Sequence, residues 1–141
     1  MNKLYIASDH AGYDLKEVLT KSDILHDYQV IDLGPFNEDS VDYPDFAHPL
    51  ATAVEGHIAS LGILICGSGN GVCMSANKHK HIRAALAWNA EIAKLARQHN
   101  NANVLCLPAR FVSATEAKNI VTAFLQQTFE GGRHERRVNK I

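Results

Sequence analysis

The stretch Gly62-Ile63-Leu64-Ile65-Cys66-Gly67-Ser68-Gly69-Asn70-Gly71-Val72 joins a nearly unbroken apolar run to three alternating glycines, and a helical pattern follows over residues 70–79. A short apolar run without polar alternation is the pattern of a parallel strand covered on both faces. A glycine turn straight after it, opening a helix, completes one strand–loop–helix unit.

Working outward, the same rhythm occupies the rest of the chain. Apolar runs at residues 4–7, 30–33, 62–66, 84–87 and 103–107 alternate with helical patterns at about 12–24, 46–59, 70–79, 90–99 and 115–128. Ser113-Ala114-Thr115-Glu116 is a helix start with a capping hydroxyl and an early acid. Pro35, Pro44 and Pro49 cluster around the one long connection, from Gly34 to Asp45. Alternation of this kind predicts the α/β class: a three-layer α/β/α sandwich around a five-stranded parallel, Rossmann-like sheet with right-handed crossovers. Residues 1–141 are expected to form one domain, with residues 130–141 a polar C-terminal tail that folds back or reaches another subunit.

Composition narrows the function classes. The chain has 141 residues, 46% of them hydrophobic, enough for one buried core. Its formal charge of −1 offers no bulk field for nucleic acid or anionic lipid, so an anion site must be local. Three cysteines, Cys66, Cys73 and Cys106, show no paired spacing and point to a reducing, cytoplasmic setting. The opening residues are too weakly apolar for a signal peptide, and no run approaches the ~18 residues of a membrane helix.

Ligands of open α/β sheets bind beyond the carboxyl ends of the strands. Four groups are expected there: Ser8-Asp9-His10 after the first strand, Cys66 with the glycine loop after the third, Arg97-Gln98-His99-Asn100-Asn101 at the end of the helix before the fifth, and Pro108-Ala109-Arg110 after the fifth. Gly67, Gly69 and Gly71 let successive backbone N–H groups face one concavity at the start of a helix, which suits an anion. A dinucleotide fingerprint would require glycine at Val72, and the Lys-Ser/Thr pair of a nucleotide-hydrolase phosphate loop is missing. A cysteine ending a buried strand is more often packing than chemistry. Here the loop shifts that balance, because a helix start favours thiolate at Cys66. Thiolate and oxyanion donors together make a site that removes a proton next to a carbonyl and holds the resulting enediolate. Cys73 and Cys106 keep the packing reading. Arg133, Arg136 and Arg137 are open to three readings: a solvated tail, a nucleic-acid footprint that the near-neutral chain does not favour, or a phosphate clamp suited to the guanidinium fork. The eight histidines show no metal-ligand spacing, and only His10 and His99 are taken into an active site.

Six motifs in order resemble the RpiB/LacAB family of sugar-phosphate isomerases: Ser8-Asp9-His10-Ala11-Gly12, Asp42-Tyr43-Pro44, Gly62 through Gly71, Ala76-Asn77-Lys78, Arg97 through Val104, and Glu130-Gly131-Gly132-Arg133-His134. The resemblance runs from about residue 3 to 138. It implies interconversion of an aldose phosphate and its ketose isomer, foremost D-ribose 5-phosphate and D-ribulose 5-phosphate of the non-oxidative pentose phosphate pathway, with neither metal nor organic cofactor. Cys66 matches the base that moves the proton between C1 and C2. Branches without that cysteine use a carboxylate where this chain has Val72, so the thiol branch fits. Ser68, where the family more often has threonine, and the amides of Gly67, Gly69, Asn70 and Gly71 match the surroundings of the enediolate oxygen. His99 matches the acid that opens the furanose, with Asp9 assisting; Asn100 and Tyr43 match contacts to sugar hydroxyls; His10, Arg110, Arg133 and Arg137 match phosphate ligands. The resemblance implies that His99, Asn100 and Arg110 arrive from a neighbouring subunit, hence a homodimer or tetramer with shared sites. Two alternatives stay open: a six-carbon substrate, allose 6-phosphate or galactose 6-phosphate, and a non-catalytic sugar-phosphate sensor.

Overall fold

In a computed structural model describing residues 1–141, the five apolar runs pair into one sheet with strand order β2-β1-β3-β5-β4. The strands are β1 (Asn2–Ser8), β2 (Tyr28–Asp32), β3 (Leu61–Cys66), β4 (Ala84–Leu86) and β5 (Val104–Pro108). Every pairing is parallel. Along β3 the register sets Leu64 beside Ala7 on one flank and Cys106 on the other. Each of these strands is therefore buried on both faces, which explains the missing polar alternation.

The pleat divides the core in two. Leu4, Ile6, Ile63, Ile65, Leu105 and Leu107 face one layer. It is built by α1 (Tyr13–Thr20), α4 (Ala90–Asn100) and α5 (Ala114–Leu125), which contribute Leu19, Ala93, Ala96, Ile120 and Phe124. Tyr5, Ala7, Leu64, Cys66, Val104 and Cys106 face the other, where α2 (Pro44–Glu55) and α3 (Asn70–Ala76) supply Leu50, Val54, Val72 and Ala76. This is the expected three-layer sandwich.

Element ends depart from the sequence reading where local hydrogen bonds intervene. α1 stops at Thr20, and a 3₁₀ turn at Asp23–Leu25 follows, with the Ser22 hydroxyl accepting from Ile24 N–H. α2 starts earlier than expected because Pro44 occupies its first position, where a missing N–H costs nothing. The start of α5 carries the full capping box: Glu116 N–H donates to Ser113 Oγ at 3.1 Å, and Ser113 N–H to Glu116 Oε1 at 3.0 Å. The polar tail contains a sixth helix, α6 (Arg133–Val138), and folds back on α4; Glu130 N–H donates to Gln98 O at 3.0 Å.

One placement is corrected. The segment Arg97–Asn101 does not lie at the carboxyl edge of the sheet. α4 ends at Asn100, Asn101 turns the chain with φ 48°, and β5 starts at Val104. A crossover helix runs antiparallel to the strands it links, so its C-terminus sits at their amino edge.

Candidate active site

Strand order reverses between β1 and β3, and their carboxyl ends open the crevice where ligands of such sheets bind. A cavity of about 600 Å³ occupies that position. β1 contributes Asp9 and His10, β3 contributes Cys66, Gly67, Ser68 and Gly71 through its loop, the long connection contributes Tyr43, and the turn after β5 contributes Arg110 and Phe111.

Cys66 is the last residue of β3 and only 5% exposed, yet it lines the cavity. Gly69 N–H donates to its Sγ at 3.1 Å. That contact requires glycine: residue 69 has φ 76°, and a Cβ there would stand 2.4 Å from Leu86. An N–H aimed at sulfur is a contact that gains strength as the sulfur becomes anionic. α3 is only two turns long, and the Gly69 N–H at its N-terminal cap is the backbone donor that reaches the sulfur. Asn70 N–H donates to Ser68 Oγ at 3.2 Å. The amide cradle foreseen across residues 67–71 is thus partly engaged within its own loop.

The flanking groups are braced. Asp9, 7% exposed, accepts Gly12 N–H at 3.0 Å, and its own N–H donates to Ile65 O, tying β1 to β3 at the crevice floor. His10 Nδ1 lies 3.2 Å from both the N–H and the carbonyl oxygen of Val41, which anchor the ring to the long connection and leave Nε2 without a protein partner. Tyr43 lies against Gly71, whose missing side chain leaves room for the ring. Arg110 N–H donates to Gly67 O at 3.0 Å, and its guanidinium crosses over Gly67, where a Cβ would meet Nη1 at 2.9 Å. No arginine of the chain has a carboxylate within salt-bridge distance, so the Arg110 charge is available to a bound anion.

The structure corrects one implication of the resemblance and separates the remaining residues. Arg110 shares a cavity with Cys66 of its own chain instead of reaching it from a neighbour, because β5 lies directly beside β3. His99, Asn100, Arg133 and Arg137 do not line that cavity. His99 sits in the last turn of α4 beside the tail, with Glu130 and His134. Asn100 borders a different cleft with Lys78 and Ile141, and Arg133 and Arg137 lie exposed on α6. One chain therefore carries two groups of candidate residues at opposite edges of the sheet. A second cleft at the amino edge, about 490 Å³, includes Arg83 and Arg97, whose guanidiniums are occupied by the Asn101 and Ala102 carbonyls.

Three residues near these groups were given no role in the sequence reading. Phe111 follows Arg110 and walls the cavity; Glu130 and His134 sit four apart and meet at His99. Their four-residue spacing was the available signal. Below the cavity, Cys106 is fully buried, and burial pushes its thiol pKa well up. The Cys106 thiol beside Cys73 holds the Cys73 thiol below its usual pKa.

Comparison with known proteins agrees with this arrangement. The profile of the family described as Ribose/Galactose Isomerase matches residues 4–141. A probable ribose-5-phosphate isomerase B of Mycoplasma pneumoniae is 55% identical over 139 residues, 98% of this chain and 91% of that protein. A crystal structure of ribose 5-phosphate isomerase from Thermotoga maritima superposes with a TM-score of 0.94 at 46% identity, covering 99% of this chain and 96% of that one. The crystal structure of ribose-5-phosphate isomerase B from Mycoplasma genitalium with bound ribulose-5-phosphate gives 0.93 at 50% identity, covering 98% and 92%. With a sheet-switch crevice, a thiol at its floor and near-complete coverage by these relatives, the chain belongs to the ribose/galactose isomerase family.

Proposed function

We propose that the protein interconverts D-ribose 5-phosphate and D-ribulose 5-phosphate. The observation that carries this reading is Cys66 Sγ at the cavity wall, 3.1 Å from an N–H donor and in one crevice with an uncompensated arginine. The ribose-5-phosphate isomerase B relatives, one of them holding ribulose-5-phosphate, support that substrate over a six-carbon phosphate. His10 and Arg110 hold the phosphate. The Cys66 thiolate removes the C2 proton of the open-chain aldose, the electron pair moves onto the C1 oxygen, and loop donors including Ser68 receive the enediolate. A proton passes from the C2 oxygen to the C1 oxygen, the thiol returns its proton to C1, and the ketose carbonyl forms at C2.

Replacing Cys66 by Ala tests the base. Loss of an essential acid–base group costs ~10²–10⁴-fold in turnover, read by ketose formation from ribose 5-phosphate and from the six-carbon alternatives. A folded Cys66→Ala protein with near-normal turnover overturns the assignment.

A second copy completes the site in this reading, delivering His99, Asn100, Arg133 and Arg137 from the partner subunit to the crevice with Cys66. The separation of the two groups within one chain supports it. Mixing Cys66→Ala with His99→Ala subunits, each inactive, should restore about a quarter of wild-type activity through hybrid dimers with one intact site. No recovery after verified subunit exchange rules out sharing. Three free thiols fit a reducing cytoplasm, and no helix is long and apolar enough to cross a membrane.

A further inference from the structure

At the amino edge of the sheet, Nε2 of His99 lies 3.3 Å and Nε2 of His134 4.0 Å from the same Glu130 oxygen. The two rings stack, with centroids 4.1 Å apart and planes 9° from parallel. Two histidines and a glutamate suggest a metal site. Imidazole lone pairs lie in the ring plane, however, so stacked parallel rings send them side by side, whereas a tetrahedral ion at about 2.0–2.1 Å requires them to converge. The geometry matches one carboxylate oxygen set at ion-pair distance from both imidazoles, with His99 the nearer. A carboxylate only accepts, so Glu130 favours a proton on the His99 nitrogen that faces it, which leaves Nδ1 for the sugar. Glu130 is itself anchored one residue from His99, through its N–H to Gln98 O at 3.0 Å. His134 covers one face of the His99 ring and limits its rotation.

We infer that Glu130 is a positioning residue for furanose opening: it fixes the tautomer and direction of His99 and balances the charge of the imidazolium that donates to the sugar. The inference rests on the proposed isomerase reading, in which His99 is the ring-opening acid. In that step Nδ1–H of the imidazolium passes its proton to the ring oxygen and the bond from C1 to that oxygen breaks. The C1 hydroxyl yields its proton to Asp9 of the subunit that holds the sugar, and C1 becomes the aldehyde carbonyl. No oxidant or further reactant is needed.

Ribulose 5-phosphate separates this role from simple support of the tail, because its C5 oxygen carries the phosphate and it cannot close a furanose. Two measurements are compared for the wild type, Glu130→Ala and Glu130→Gln: turnover of ribose 5-phosphate, and deuterium incorporation at C1 of ribulose 5-phosphate in D₂O. Partners that orient a metal-bound histidine are typically worth about 10–100-fold, and the same orienting role sets the scale here. Glu130→Ala should lose that much ribose 5-phosphate turnover while C1 exchange stays within about threefold of wild type. Glu130→Gln keeps an accepting oxygen without the charge and should fall between. Parallel loss of both activities, as expected if Glu130 only holds Arg133 and Arg137 in place, overturns the inference. So does unchanged ribose 5-phosphate turnover. If Glu130→Ala does not fold, Glu130→Gln carries the same comparison. Cys66→Ala, run alongside, should abolish exchange; retained exchange there would defeat the base assignment and leave the Glu130 comparison readable on its own.

Discussion

Gly67→Ala separates the phosphate contact from the fold. A Cβ at position 67 would stand 2.9 Å from Nη1, 3.2 Å from Nε and 3.1 Å from Cζ of Arg110, all in the far end of one exposed side chain. Gly67 itself is buried, but the guanidinium can swing away, so the fold should lose about 1 kcal/mol or less and Tm should move by about 4 °C or less. The substrate pays instead through a displaced cation. A hydrogen bond to a charged group contributes about 1.5–3 kcal/mol, and 1.36 kcal/mol corresponds to about tenfold. KM for ribose 5-phosphate should therefore rise about 10–100-fold, with the upper end reached only if Arg110 leaves the phosphate completely. Phosphate contacts are the same in ground and transition states, so kcat should stay within about threefold. Inhibition by inorganic phosphate should weaken in step with KM. Steady-state kinetics with a thermal melt reads all three quantities. An unchanged KM in a folded variant, or a collapse of kcat at constant KM, refutes the placement of Arg110 over the phosphate site.

Other consequences are equally direct. The Lys16 side chain is fully buried, with Nζ 2.7 Å from Asp32 Oδ2 and 3.4 Å from Glu17 Oε1, while Asp32 Oδ1 holds Gly34 N–H. Lys16→Met should cost about 2–3 kcal/mol by chemical denaturation, below the usual cost of breaking a buried pair because Asp32 keeps some access to water, and adding Asp32→Asn should recover part of it. For the other two thiols, the Cys106 neighbour lowers the Cys73 pKa, whereas burial raises that of Cys106. As pH rises, native alkylation followed by mass spectrometry should label Cys73 first; prior labelling of Cys106 would contradict the packing.

Ring opening and proton transfer place opposing demands on one chain. In the proposed mechanism the base must be sheltered, and Cys66 is held by backbone on a central strand with one amide aimed at its sulfur. The imidazole proposed to open the ring would have to reach the sugar from outside, and His99 stands on a helix end braced by the tail. Parallel topology forces these apart, since strand ends and crossover-helix ends occupy opposite edges of a sheet. Two copies facing each other would bring them together.

Local pattern alone determined the class of fold, the five strands, the capping box of α5 and the thiol before a glycine turn, because burial on both faces and turn chemistry leave their marks within a few consecutive residues. Tertiary structure decided what depends on residues far apart in sequence. It placed Arg110 beside Cys66 by setting β5 next to β3, and sent His99 to the far edge by running α4 against the strands. It also buried Lys16, which the helical pattern marked only as one polar residue of α1, and joined Glu130 to a histidine on another helix. A hydrophobic period reports whether a residue is covered; which side chains meet depends on crossover direction and strand order, and no short window of sequence contains either.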